Sequence, residues 1–152
     1  MKEEIDKILY VDMDDVLCDY TRAYSESQEA CPEESYPQSK PGFFQNLEPV
    51  RGGVEAIALL QNFFEVYLLT APSTRNPLCY TEKRLWVERY LGYPMVKRLI
   101  ISPNKGLLRG DYLIDDHREG RGQEDFEGEL IHFGSDFYPD WSAVSNRLLP
   151  QV

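Results

Sequence analysis

Residues 8–17 read Ile-Leu-Tyr-Val-Asp-Met-Asp-Asp-Val-Leu, an apolar run of β-forming residues that ends in three carboxylates, Asp12, Asp14 and Asp15. Clustered anions repel one another and are costly to desolvate, so a buried strand releasing several of them implies a cation or a phosphate-handling site. An acidic helix N-terminus would also accommodate them, through the dipole and the free amides there. Recurrence favours chemistry. Thr70 closes the run Val66-Tyr67-Leu68-Leu69, Ser102 closes Leu99-Ile100-Ile101 with Lys105 just beyond, and Asp115-Asp116 close Tyr112-Leu113-Ile114. Two Asp clusters, a hydroxyl and a lysine form a coherent inventory for phosphoryl transfer. The carboxylates supply a nucleophile and hard oxygen ligands for Mg²⁺. Thr70 and backbone amides donate to phosphate oxygens, and Lys105 neutralises charge. Singly, each has a plainer role: Thr70 as a strand end, Lys105 as a solvated lysine, Asp115-Asp116 before His117 as a turn.

The elements that would position these residues are legible as five apolar runs, at 7–11, 65–70, 96–102, 111–115 and 129–134. Most are near-continuous rather than alternating, as expected of strands covered on both faces of a parallel sheet. Helical patterns lie between several of them. Residues 53–64 place Val54, Ile57, Leu60 and Phe64 on one stripe. Thr81 is positioned to cap a helix to Leu91, with Trp86/Tyr90 and Val87/Leu91 as i,i+4 pairs. Pro139-Asp140 starts another, with Trp141, Val144 and Leu148 facing inward. Strands alternating with helices predict a doubly wound α/β fold, a mainly parallel five-stranded sheet in a single domain over residues 1–152. Its carboxyl edge would then gather Asp12, Thr70, Ser102 and Asp115-Asp116. Residues 31–53 break the pattern with Pro32, Pro37, Pro41, Gly42 and Pro49 before Gly52-Gly53. We read 18–50 as a helix plus an irregular cap insertion over the site. Its aromatics Tyr36, Phe43 and Phe44 would touch substrate or form a satellite core under a long loop.

Composition narrows the partners. The chain has 152 residues, enough for one core, and at 42% hydrophobic it is no disordered segment. With 26 acidic against 16 basic residues and net charge −10, it lacks the basic surface of a nucleic-acid polymer binder. A small anionic substrate is still compatible, since a few cations or a metal reverse the field inside a cleft. Cys18, Cys31 and Cys79 are odd in number without CxxC spacing, which suggests neither a zinc site nor a disulfide framework. Cys18 is expected to pack as a small hydrophobe. The start Lys2-Glu3-Glu4 is charged, and no run approaches transmembrane length. A cytoplasmic protein with a small-molecule partner is expected.

The four clusters in order, Asp12-Met13-Asp14-Asp15-Val16, Thr70, Lys105 and Asp115-Asp116, resemble the motifs of the haloacid dehalogenase-like superfamily. Within it the chain is most similar to the 5′(3′)-deoxyribonucleotidases. That likeness rests on Asp12-Met13-Asp14-Asp15-Val16-Leu17-Cys18-Asp19-Tyr20, on Pro41-Gly42-Phe43-Phe44-Gln45-Asn46-Leu47-Glu48-Pro49, on Glu82-Lys83-Arg84-Leu85-Trp86-Val87-Glu88-Arg89-Tyr90, and on the Lys105-to-Asp115 spacing. The resemblance implies Asp12 as the nucleophile that becomes an aspartyl-phosphate, and Asp14 as acid to the leaving alcohol and base to water. It implies Mg²⁺ on the Asp12 carboxylate, the Asp14 backbone carbonyl and Asp116, with Asp115 orienting Lys105 or a metal-bound water. Thr70 and Lys105 would hold the phosphate; Tyr20 and Phe44 would enclose the nucleoside. Two departures bear on the substrate: the insertion is shorter than in the animal enzymes, and Ala71 stands where relatives often carry Ser. His117 is expected near the mouth and His132 in a structural role. A phosphatase of another small phosphomonoester, such as a sugar phosphate, is the alternative. A receiver-type signalling domain shares the inventory but carries it in a different order.

Overall fold

The computed structural model describes residues 6–150; the charged start at Lys2-Glu3-Glu4 lies outside the described residues. Strands β1 (Ile8–Val11), β2 (Glu65–Thr70), β3 (Leu99–Ile101), β4 (Tyr112–Asp115) and β5 (Glu129–His132) form one sheet, ordered β3-β2-β1-β4-β5, with every ladder parallel. Val11 is level with Leu68 on one side and Ile114 on the other. The next residues of β1 and β4, Asp12 and Asp115, therefore emerge side by side.

Side chains alternate across the sheet, and the two faces are covered differently. Leu9, Val11, Val66, Leu68, Ile114 and Ile131 belong to one large core with α2 (Gly53–Leu60), α3 (Cys79–Leu91) and α5 (Trp141–Leu148). Residues of opposite parity, Tyr10, Leu69 and Leu113, join Phe126 in a smaller cluster. Among the described residues no α-helix covers this second side. The connections into β4 and β5 carry only the 3₁₀ turns Lys105–Leu107 and Gln123–Asp125, and Phe126 meets Tyr10 edge-on at 5.9 Å. The parallel five-stranded α/β sheet is as expected, but one of its outer layers is built of turns.

The insertion begins with α1 (Tyr20–Ala30) and continues irregularly, through the turn Pro37–Ser39, to α2. Buried polar contacts hold it to α3. Glu82 accepts hydrogen bonds from the backbone N–H groups of Gly42 (2.8 Å), Phe44 (3.1 Å) and Gln45 (3.3 Å). Trp86 Nε1 donates to the Leu47 carbonyl at 2.8 Å. Element ends differ from the periodic reading in three places. Helix α2 stops at Leu60, although Phe64 still packs in the core. Helix α3 starts at Cys79, so Thr81 lies inside it and caps nothing. The run at 96–102 is shared between α4 (Tyr93–Val96) and the short β3. Among the described residues no helix is long and apolar enough to cross a membrane.

Candidate active site

The chain winds from β1 toward β2 and β3 on one side and through β4 to β5 on the other. In an open parallel sheet the crevice beyond the strand ends at such a reversal is where ligands sit. Asp12 follows β1 there, its N–H bonded to the Ile114 carbonyl at 2.9 Å, and Asp115 ends β4 fully buried. Lys105, 2% exposed, lies between them, its Nζ 2.9 Å from Asp12 Oδ1 and 2.5 Å from Asp115 Oδ2. Asp12 Oδ1 also accepts from the Met13 N–H at 2.8 Å. Asp115 Oδ1 accepts from the His117 N–H at 2.9 Å, and Gln123 Nε2 lies 3.4 Å from both Asp115 oxygens.

One carboxylate oxygen from each of Asp12, Asp115 and Asp116 lies within 4.8 Å of the others. Burial drives the Asp12 carboxyl well above the usual range despite Lys105, and it lifts Asp116 to about 6. Burial alone would lower Lys105; Asp12 and Asp115 outweigh it and hold the ammonium above its ordinary value. Three carboxylates around one lysine leave an excess of negative charge, and Asp116 Oδ1 is buried without a hydrogen-bond partner. A hard divalent cation fits this donor set: all oxygen, with no thiolate or imidazole in the group. Cys18 is buried as a small hydrophobe among core residues.

The carboxylates following β1 separate by partner. Asp14 turns to a second buried lysine, Lys83 of α3, whose Nζ is 3.1 Å from Asp14 Oδ2 and 2.5 Å from Thr70 Oγ1. Asp14 offers the site its other oxygen, Oδ1, which is buried and unpartnered. The carboxylate group therefore joins Asp115 to Asp12 and Asp116, and the Asp14 side chain is not part of it. Asp15, at φ +63°, accepts from Thr21 N–H (2.8 Å) and Oγ1 (2.6 Å) at the start of α1; the helix-terminus reading holds for it alone. The Ser102 hydroxyl bonds only within its own turn, to Asn104, and Ser102 does not line the cleft.

The cleft over these groups has a volume of about 600 Å³, within the range of small-ligand sites. Tyr20 and Phe44 form its apolar wall, ring centroids 6.1 Å apart at 30°. Phe44 is also a core residue packed on Phe43, with Lys83 Nζ 5.2 Å from its ring centroid. Burial, aided by Asp14, pushes the Tyr20 hydroxyl up to about 12, so it stays neutral. Arg121 and the exposed His117 line the cleft from the β4–β5 connection. His132 is structural: its Nε2 lies 2.9 Å from the Asp116 carbonyl, and Arg118 Nε donates to its Nδ1 at 3.2 Å.

Lys83, Glu82 and Gln123 are the site's unforeseen members. The first two left a trace in the sequence: 79, 82, 83, 86 and 87 form a helical inner stripe, and two of its five positions are charged. Gln123 left none, because only the return of the β4–β5 connection brings it to Asp115.

This parallel sheet, with buried carboxylates just after β1 and at the end of β4 and an insertion after β1, has the fold of the haloacid dehalogenase-like hydrolases. A solved structure described as a candidate hydrolase of that type, from Burkholderia xenovorans LB400, superposes with TM-score 0.51 over 85% of this chain and 81% of its own, at 12% identity, a likeness of fold. Residues 31–140 match the family model described as 5′ nucleotidase, deoxy (Pyrimidine), cytosolic type C protein. A protein of Vibrio phage KVP40, described as a candidate 5′(3′)-deoxyribonucleotidase, is 42% identical over 93% of this chain and 84% of its own. The human cytosolic-type 5′(3′)-deoxyribonucleotidase is 39% identical over 56% of this chain, a match spanning 43% of the human protein. The chain belongs to the deoxy-type 5′-nucleotidase family of the model it matches, and so to the phosphomonoester hydrolases. A receiver domain is thereby set aside.

Proposed function

We propose that this protein hydrolyses deoxyribonucleoside monophosphates through a phosphorylated Asp12. The observation that carries the reading is the shared cleft: Asp12 and Asp14 open into the same space as Tyr20 and Phe44. With Asp12 Oδ1 held by Lys105 and the Met13 N–H, attack on phosphorus falls to Oδ2. The P–O bond to the sugar breaks as Asp14 gives its proton to the departing oxygen. Asp14 then takes a proton from the water that attacks the aspartyl-phosphate, which releases phosphate and restores Asp12. Thr70 and Lys105 hold phosphate oxygens, Lys105 from the lining of the cleft, while Lys83 ties Thr70 to Asp14. Thr70 Oγ1 accepts from Lys83, and its own O–H makes only a long 3.5 Å approach to the Ala71 carbonyl, so it is available to donate. Mg²⁺, held by Asp12, Asp116 and the Asp14 backbone carbonyl, would neutralise charge on the phosphoryl group when bound. A sugar pocket without a partner for a 2′-hydroxyl disfavours ribonucleotides, since burying an unpaired hydroxyl costs about 1–3 kcal/mol. The likeness to a cytosolic-type enzyme supports a cytoplasmic setting.

The test is turnover, with Mg²⁺, of a panel of 5′- and 3′-mononucleotides, deoxy and ribo, set against sugar phosphates. Deoxynucleotides are expected to lead. If a sugar phosphate outperforms every nucleotide, the phosphatase stands and the nucleotidase reading does not.

A further inference from the structure

Gln38 lines the cleft from the turn Pro37–Ser39. Its backbone is fixed: the carbonyl accepts from Asn76 Nδ2 at 3.0 Å, and buried Asn76 is itself held by the Leu78 N–H on its Oδ1 at 2.9 Å. The side chain is a different matter. Its Oε1 is buried and has no hydrogen-bond partner, a condition that folded proteins avoid because a desolvated acceptor without a donor is costly. Two other residues that line the cleft, Asp14 and Asp116, carry such an oxygen, but both are carboxylates at the reacting end. Gln38 belongs to the cap, like Tyr20 and Phe44, and it carries no charge. Beside three carboxylates and a lysine, a neutral amide adds little to the binding of a metal or a phosphate. It matches a planar group with a donor beside an acceptor.

In a nucleotide that group is the Watson–Crick edge of the base. We propose that Gln38 reads this edge: Oε1 accepts from the N3–H of uracil or thymine while Nε2 donates to O4. With the amide turned over about its last torsion, which is soft, Oε1 accepts from the amino group of cytosine and Nε2 donates to N3. Tyr20 and Phe44 supply a stacking face that tolerates any base; Gln38 adds the directional contact, and its fixed backbone keeps the amide in place.

This inference rests on the nucleotide reading above, and the experiment separates the two. Steady-state kcat/KM is measured for dUMP and for N3-methyl-dUMP, which lacks the donor, with wild type and with Gln38→Met, which keeps the reach and removes the amide. Wild type is expected to favour dUMP by about tenfold or more, as for loss of a partner to a buried acceptor. Gln38→Met should bring the two substrates to within about twofold of each other. A wild-type ratio near one overturns the inference without any variant, and so does a preference that persists in Gln38→Met, which marks the methyl group as a steric burden only. If neither nucleotide is turned over while a sugar phosphate is, the nucleotide reading fails and the inference falls with it.

Discussion

Lys105 and Lys83 divide the anionic site between them. Lys105 offsets the repulsion between Asp12 and Asp115, and Lys83 ties Asp14 to Thr70. The proposed nucleophile and proton carrier thus each have their own cation, so their substitutions should read differently. Asp12→Asn keeps the shape but cannot form the acyl-phosphate, and turnover should fall by roughly a thousandfold or more; a variant retaining over about a tenth of the wild-type rate is incompatible with the covalent route. Asp14→Asn should hurt a nucleotide far more than 4-nitrophenyl phosphate, since nitrophenolate leaves without a proton and a sugar alkoxide does not. Equal losses on both, with chemistry rate-limiting, would remove Asp14 from the acid role. Asp12, Thr70, Lys105 and Asp115-Asp116 were readable from sequence because each ends or closely follows an apolar run. Lys83 was not, since a lysine between Glu82 and Arg84 reads as solvated until the helix is rotated against a sheet.

At the scale of elements, α3 joins the two halves of the site. Its inner stripe delivers Lys83 to the carboxylates, and its Glu82 gathers three N–H groups of the cap. Removing a buried charged acceptor strands its donors, so Glu82→Ala should cost about 3 kcal/mol. For a chain of this size that is a fall in Tm of roughly 6–12 °C. It should also raise KM for nucleotides, because Phe44 sits on the loop that Glu82 holds. Glu82→Ala with wild-type melting and wild-type KM would show that the loop is anchored elsewhere, by Trp86 for instance. Strand positions and the helices α2, α3 and α5 followed from periodicity. The turns between β3 and β5 did not, because Gly and charged residues at 103–110 and 116–128 leave no apolar period to read, and their order comes from contacts with Asp115 and Tyr10.

For the whole molecule, net charge −10 and a buried carboxylate group oppose folding without a counterion, and a cation that binds only the native state adds stability by mass action. At a hundredfold its Kd, Mg²⁺ should contribute about 2.7 kcal/mol, seen as a rise in Tm of roughly 5–11 °C by thermal melting. Asp116→Asn should abolish most of that rise. An unchanged rise in this variant would place the ion elsewhere.

The turn-built layer on the second face of the sheet has a consequence for motion. Among the described residues its buried cluster is small, Tyr10, Leu69, Leu113 and Phe126 with partly buried neighbours, yet its two turns carry Lys105 and Gln123, the partners of Asp115. Segments with few buried apolar contacts open first in the native state. Backbone amides of 103–110 and 116–128 should accordingly exchange with deuterium well before those of β1 and β2, and each such opening strips Lys105 from Asp12 and Asp115. Binding energy delivered at the carboxylates is then spent in part on closing this layer, so amides should become protected when Mg²⁺ and inorganic phosphate are added even at 106–110 and 124–128, which do not line the cleft.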